Sequence, residues 1–334
     1  MSPVNHQVRL AARPSGVPER SDWELTTEPV PEPGPGEFVV AVSYLSVDPA
    51  MLRWISGRSR VTGPVPVGAV MEAGAAGRVT ASRHPGFAAG DHVYGGFGVQ
   101  ELAVSDGTGV QKLDPLLAPL STYLGALGTT GLTAYFGLLD VGRPEEGETV
   151  VVSGAAGAVG SVAGQLAKIK GCRAIGVAGG PLKCRWITDE LGFDAAVDYK
   201  ADDLDRALAE HAPGGVDVFL DNVGGGVLDA VLGRLARGAR IVLSGGISQY
   251  ATGHTRGPAN YLALIAARAS MTGFLTPDYA DRYAAARAEL AGWLRDGRLV
   301  SGEHIVEGGV LAFPDVLPKL FTGENVGKLM LAVP

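Results

Sequence analysis

The sequence predicts an α/β protein, a doubly wound parallel sheet accompanied by a smaller β-rich domain, and three observations carry that prediction. Thr149 to Gly160, TVVVSGAAGAVG, joins a β-branched apolar run to a glycine-rich turn and then to small and apolar residues at helical spacing. Strand-like and helix-like segments alternate from there to Ser270–Leu275. Residues 1 to about 120 are instead dominated by turns and short apolar runs.

In chain order, Pro29–Gly36 (PVPEPGPG) is a turn cluster and Glu37–Leu45 (EFVVAVSYL) a strand. Asp48–Ile55 reads as a short helix, and Gly77–Thr80, Gly90–Tyr94 and Val99–Val104 as short strands of a barrel-like domain. From Leu120 to Asp140 small residues at close-packing spacing predict helix. Strands are then expected at Thr149–Ser153, Arg173–Ala178, Ala195–Asp198, Val216–Asp221, Ala239–Ser244 and Ser270–Leu275. The helices between them are expected from near Ala158, and at Leu182–Leu191, Leu204–His211 and Leu228–Ala236. Asp278–Arg295 is a long amphipathic helix, and Glu303–Glu307 and Gly327–Val333 return to strand, assigned to the first domain.

The turn is where chemistry is expected. Ala155, Gly157 and Gly160 have the spacing of the dinucleotide-binding G-x-G-x-x-G, with Ala in the first place and Gly154 just before it. A turn without side chains lets a pyrophosphate lie against backbone N–H groups at the positive end of a helix. An acid about 20 residues further on would hold an unphosphorylated ribose. Here that distance reaches Val177-Ala178-Gly179-Gly180 and then Lys183 and Arg185, so a 2′-phosphate, and hence NADPH, is expected, with Lys183 as its point charge.

Composition excludes several classes. With 46% apolar residues the chain can bury a sizeable core, and no run of 18 apolar residues suggests a membrane span. The N-terminus, MSPVNHQVRLAARPSG, does not read as an export signal, so a cytoplasmic location is expected. With 28 basic against 35 acidic residues, interspersed, neither a nucleic-acid nor an anionic-membrane surface is expected. Cys172 and Cys184 make no disulfide framework, and six scattered histidines offer no ligand spacing, so no metal is expected.

Taken together, GAAGAVGSVAGQLAKIKG, DNVGG, SGGISQY, GPANYL and the C-terminal GENVGKL resemble the zinc-independent medium-chain dehydrogenase/reductases. Within them the chain is most similar to the leukotriene B4 dehydrogenase, prostaglandin reductase and curcumin reductase group. The resemblance implies a Rossmann NADP-binding domain over residues 125–299 and a GroES-like β-barrel domain from residues 1–124 with 300–334. It implies that Gly157, Ala158, Val159 and Gly160 cradle the pyrophosphate, and that Lys183 and Tyr199 bind the adenosine ribose and its phosphate. Asn222, Ser244, Gly246, Ile247, Tyr250, Phe274 and Leu275 would line the cofactor, and Asn325 would reach the nicotinamide.

The implied reaction is reduction of the carbon–carbon double bond of α,β-unsaturated ketones or aldehydes, with Tyr261 as candidate donor to the developing oxyanion. A quinone oxidoreductase, or a weakly catalytic NADPH-binding protein of a biosynthetic pathway, are the alternatives. Ala50, Leu52, Val99 and Thr129 stand where the group commonly has Tyr, Arg, Trp and Met beside the substrate, which implies an altered pocket. A homodimer is also expected, with the segment from about Gly253 to Leu275 near the contact and Ser270–Leu275 as an edge strand.

Overall fold

Six of the apolar runs become the parallel strands of a single sheet, in the order Ala195–Asp198, Arg173–Ala178, Thr149–Ser153, Val216–Asp221, Leu235–Leu243, Ser270–Gly273. The order reverses between Thr149–Ser153 and Val216–Asp221, so the switch point of a doubly wound sheet lies at the carboxyl ends of those two strands. The computed structural model from which this topology is read describes residues 4–58, 63–252 and 254–334. Gly253, where the expected dimer segment begins, and Met1–Pro3 of the N-terminal stretch lie outside the described residues.

The chain divides into two units, Met1–Leu124 with Glu303–Pro334, and Gly125–Gly302. In the second, Val151, Ile175, Val197 and Phe219 are fully buried and form one core with Leu208 and Val231. The last two project from the helices Leu204–His211 and Gly225–Leu232. The helix Ala158–Ile169 packs so closely that a Cβ on Gly164 would lie 1.8 Å from the Phe193 ring. At the other end of the strands Arg240 forms an ion pair with Glu148 and donates to the Gly142 carbonyl at 3.0 Å.

Several segments differ from expectation. The helix expected at Asp278–Arg295 is a 3₁₀ run over Thr276–Arg282, kinked at Tyr279, with the α-helix beginning at Tyr283, and the one expected at Leu182–Leu191 is an α-helix at Pro181–Arg185 followed by a π-helical run at Trp186–Glu190. The helix expected at Leu228–Ala236 runs from Gly225 to Leu232, and Leu235 already belongs to the next strand. It starts early because Gly224 and Gly225, at φ 72° and 59°, turn the chain directly off the preceding strand. The continuous helix expected over Leu120–Asp140 is three pieces: a 3₁₀ turn at Leu120–Tyr123, an α-helix at Thr129–Tyr135 and a π-helical run at Phe136–Gly142. Gly128 is extended there, and a Cβ on Gly131 would fall 1.8 Å from the Ala126 carbonyl oxygen, so the backbone folds tightly back at the break.

The first unit is built on a mostly antiparallel seven-stranded sheet. Its order is Glu303–Val306, Lys328–Ala332, Phe38–Ser46, Gly74–Ser82, His92–Gly96, Gln111–Leu113, with Leu102–Ser105 also paired to Phe38–Ser46. The strand expected at Val99–Val104 thus starts at Leu102, because Gly98 takes φ 73° and the chain turns there. A hairpin of Val4–Leu10 and Trp23–Pro29 was not expected from the sequence. Its second strand, WELTTEP, is largely solvated, and its only buried member is Trp23.

Candidate functional site

The switch point is organised by one carboxylate. Asp221 ends the strand Val216–Asp221 beside Ser153, the end of its neighbour, and it is fully buried. Ser153 Oγ donates to Asp221 Oδ1 at 2.6 Å, and the N–H groups of Val223 and Gly224 donate to the same oxygen at 3.0 Å. Gly224 N–H also lies 3.1 Å from Oδ2. Burial pushes the carboxyl above its usual range, opposed by these donors. On the main chain, the Asp221 carbonyl accepts from Ser244 and Gly245, which fixes the start of the next loop.

Asn222 follows the anchor. Its N–H donates to Ser153 Oγ at 2.8 Å and its side-chain amide to the Ser153 carbonyl at 2.8 Å. Its own carbonyl accepts from Ile247 at 3.2 Å, at the start of the short helix Ile247–Tyr250, whose N-cap is Gly246. The Tyr250 hydroxyl accepts from Gly246 N–H at 3.1 Å. Asn222, Ser244, Gly246, Ile247 and Tyr250 are therefore brought together in one hydrogen-bonded loop cluster at the carboxyl edge.

The glycine turn sits beside them. Gly154 takes φ 58°, and the helix Ala158–Ile169 has Gly157 as its N-cap with no side chain capping it. The first-turn N–H groups of Ala158, Val159 and Gly160 thus have no intrahelical acceptor and stand at the positive end of the dipole. A Cβ on Gly160 would lie 2.3 Å from the Gly154 carbonyl oxygen, so the third place of the motif admits only glycine. The Ala in the first place is accommodated from across the sheet: a Cβ on Gly176 would fall 2.8 Å from that of Ala155, and Gly176 has none.

At the end of the second strand the Tyr199 ring covers Gly179, where a Cβ would come within 2.7 Å of it. The nearby acid, Asp198, is engaged by its own turn, accepting from the N–H groups of Gly180 (2.8 Å) and Lys200 (3.1 Å). Lys183, in the helix Pro181–Arg185, is half-buried and makes no ion pair among the described residues. Burial, and then the charge of Lys200, push its ammonium below the usual lysine range. A partly desolvated cation with a second cation near it is a seat for an anion. The turn, the bare helix end and Lys183 together fit a dinucleotide carrying an extra phosphate.

The remaining expected residues are placed as follows. Phe274 packs on Gly137 and meets Tyr279 edge-on at 6.3 Å, while Leu275 is exposed. Tyr261 is 57% exposed, and its hydroxyl has no partner among the described residues. In the first unit, Asn325 is buried and donates to the Gly327 carbonyl at 2.9 Å. Leu52 and Val99 are buried, whereas Ala50 is half-buried; Thr129, in the second unit, is exposed. Sequence reasoning missed Asp221 and Ser153 as the anchor. The available signal was an acid closing the buried run VDVFLD. Among the described residues no group of three or more His, Cys, Asp or Glu side chains could hold a metal ion. Cys172 is buried and Cys184 half-buried, both as free thiols.

Comparison with known proteins adds the following. Residues 6–113 match the family described as the N-terminal domain of oxidoreductase, and residues 158–291 the one described as zinc-binding dehydrogenase. The chain is 44% identical to YfmJ of Bacillus subtilis (strain 168), covering 100% of this chain and 99% of the relative. It is 40% identical to the NADPH-dependent curcumin reductase of Escherichia coli (strain K12), covering 98% and 97%. The crystal structure of CurA in complex with NADPH from Vibrio vulnificus superposes with a TM-score of 0.93 at 41% identity, over 98% of this chain and 99% of that one.

The anchor is testable. Asp221→Ala removes the acceptor of the Ser153 hydroxyl and of the Val223 and Gly224 N–H groups, and should cost about 1–3 kcal/mol or more in urea denaturation. Unchanged stability would show that the carboxylate does not hold the switch point together.

Proposed function

As a member of the zinc-independent medium-chain dehydrogenase/reductases, this chain is an NADP-dependent oxidoreductase, and we propose that it reduces the carbon–carbon double bond of neutral α,β-unsaturated ketones or aldehydes. The cofactor half of the proposal rests on the built cradle, a glycine that admits no Cβ, an uncapped helix start and a half-buried lysine without a carboxylate partner among the described residues, and the reaction is supported by the similarity to the NADPH-dependent curcumin reductase. When bound, NADPH supplies the hydride, which adds to the β-carbon of the alkene conjugated to the carbonyl. The remaining tasks are positioning, stabilising the charge that develops on the carbonyl oxygen, and allowing a proton to reach the α-carbon.

The residues divide these tasks. Gly157, Ala158, Val159 and Gly160 hold the pyrophosphate through main-chain N–H groups. Lys183 and Tyr199 take the phosphorylated ribose, and the Asn222, Ser244, Gly246, Ile247 and Tyr250 cluster lines the cofactor with Phe274 and Leu275. Asn325 reaches the nicotinamide. The Tyr261 hydroxyl, unpaired among the described residues, is the donor to the oxyanion. Ala50, Leu52, Val99 and Thr129 border the substrate. Having neither cation nor large aromatic ring, they suit a neutral and bulky acceptor better than one bearing a carboxylate.

A homodimer completes the proposal. Ser270–Gly273 is the last strand of its sheet, and close to it in sequence Leu262, Ile265 and Leu275 are 61%, 74% and 44% exposed. Apolar side chains beside an open strand edge are what pairing with a second copy would cover.

Lys183→Ala should weaken NADPH binding by about ten-fold or more while leaving NADH nearly unaffected, since a charge-assisted contact contributes about 1.5–3 kcal/mol. Equal losses in both titrations would remove the 2′-phosphate assignment. In paired turnover assays, an enone bearing a carboxylate should be a poorer substrate than its methyl ester. A marked preference for the free acid would refute the pocket argument. Light scattering at micromolar concentration should return the mass of a dimer, and a monomer mass would exclude one.

A further inference from the structure

Lys328 has only 2% of its side chain exposed, an unusual position for an ammonium group in a β-strand. Its Nζ donates to the Val47 carbonyl at 2.9 Å and to Asp48 Oδ1 at 2.8 Å. Ser46 Oγ donates to the other Asp48 oxygen, so both carboxylate oxygens are engaged. The strand Lys328–Ala332 runs antiparallel to Phe38–Ser46, with Met330 opposite Ser46, and Val47 N–H donates to the Leu329 carbonyl at 3.1 Å.

Two segments therefore meet at one ammonium. Upstream of Lys328 lies Asn325, tied to the Gly327 carbonyl. Downstream of Asp48, Pro49 leads into the helix Ala50–Ile55. A helix of six residues has little stability of its own, and no side chain caps this one. Its first N–H bonds go to the main chain of the held turn: Met51 donates to the Asp48 carbonyl and Leu52 to that of Pro49. A methionine could fill the same space without desolvating a charge. What the lysine adds is a fixed register between two segments.

We propose that Lys328 is a positioning residue. Its ammonium locks the Val47–Asp48 turn, and through it the helix carrying Ala50 and Leu52, to the segment carrying Asn325. The substrate wall and the nicotinamide contact of this unit are thus held as one piece. This rests on the roles given to Ala50, Leu52 and Asn325 in the function proposed above.

The test compares Lys328→Met and Asp48→Asn with the full-length parent, using NADPH and two neutral acceptors, a small linear enal and a bulky cyclic enone. Lys328→Met should lower kcat/KM by about ten- to a hundred-fold, the scale of a displacement of about 1 Å. The ratio between the two acceptors should change, and the NADPH dissociation constant should stay within about two-fold. Asp48→Asn keeps an acceptor but loses the charge, and should show the same pattern more weakly. It carries the comparison if Lys328→Met does not fold. Amide exchange at Met51–Ile55 and at Asn325–Val326 should accelerate together. Exchange that rises in one segment alone, or a lowered melting temperature with an unchanged acceptor ratio, would overturn the proposal. Coupled acceleration in the variants, with a parent that reduces neither acceptor, would keep the positioning role and overturn the proposed activity instead.

Discussion

The carboxyl edge of the parallel sheet depends on a carboxylate in a place that disfavours charge. Asp221 is fully buried, yet its oxygens collect a hydroxyl and two main-chain N–H groups, while its carbonyl takes two more. A parallel sheet leaves strand ends to be satisfied by something other than the next strand, and at the switch point two adjacent ends diverge onto opposite faces. Asp221 and Ser153 close that gap. Once they do, Asn222 can reach back to the first strand and forward to Ile247, and the loops framing the crevice have little freedom left. A ligand entering such an edge meets groups already held in place, which lowers the ordering cost of binding.

Close packing shapes the glycine turn as much as ligand chemistry does. The third glycine is required by the Gly154 carbonyl, an obstacle internal to the turn. The departure in the first place, Ala155, has its counterpart in Gly176 on the neighbouring strand, so the missing volume has moved across the sheet. Read as a string, the motif looks imperfect, whereas the pair of positions shows an intact clearance.

Legibility in the sequence followed the range of the interactions. Thr149–Ser153, Arg173–Ala178, Ala195–Asp198 and Val216–Asp221 were legible at both ends because burial writes short apolar runs, whereas Leu235–Leu243 and Ser270–Gly273, half-buried or exposed along much of their length, were legible less well. The hairpin of Val4–Leu10 and Trp23–Pro29 was not, since one of its strands is largely solvated and carries no apolar alternation. Neither was the partnership of Lys328 with Asp48, separated by 280 residues, because a lysine in a sequence reads as surface until its partner is known. The break after Leu120 escaped for a third reason: small residues suit both tight helix packing and a tight reversal, and only the contact between Gly131 and Ala126 decides between them.

The strand Lys328–Ala332 lies inside its sheet, between Glu303–Val306 and Phe38–Ser46, though Lys328 and Asp48 are 280 residues apart in sequence. During synthesis, therefore, Leu102–Ser105 can cover Phe38–Ala41 early, but Tyr44–Ser46 on the same edge must wait unpaired until residues 330–332 are made. The parallel sheet of Gly125–Gly302, drawn from one continuous stretch, is complete well before that. Domains that finish out of order expose different surfaces to the ribosome and its chaperones at different times. Here the sheet of Phe38–Ser46 gains this strand only after the intervening unit has been made, and the ammonium of Lys328 arrives with it.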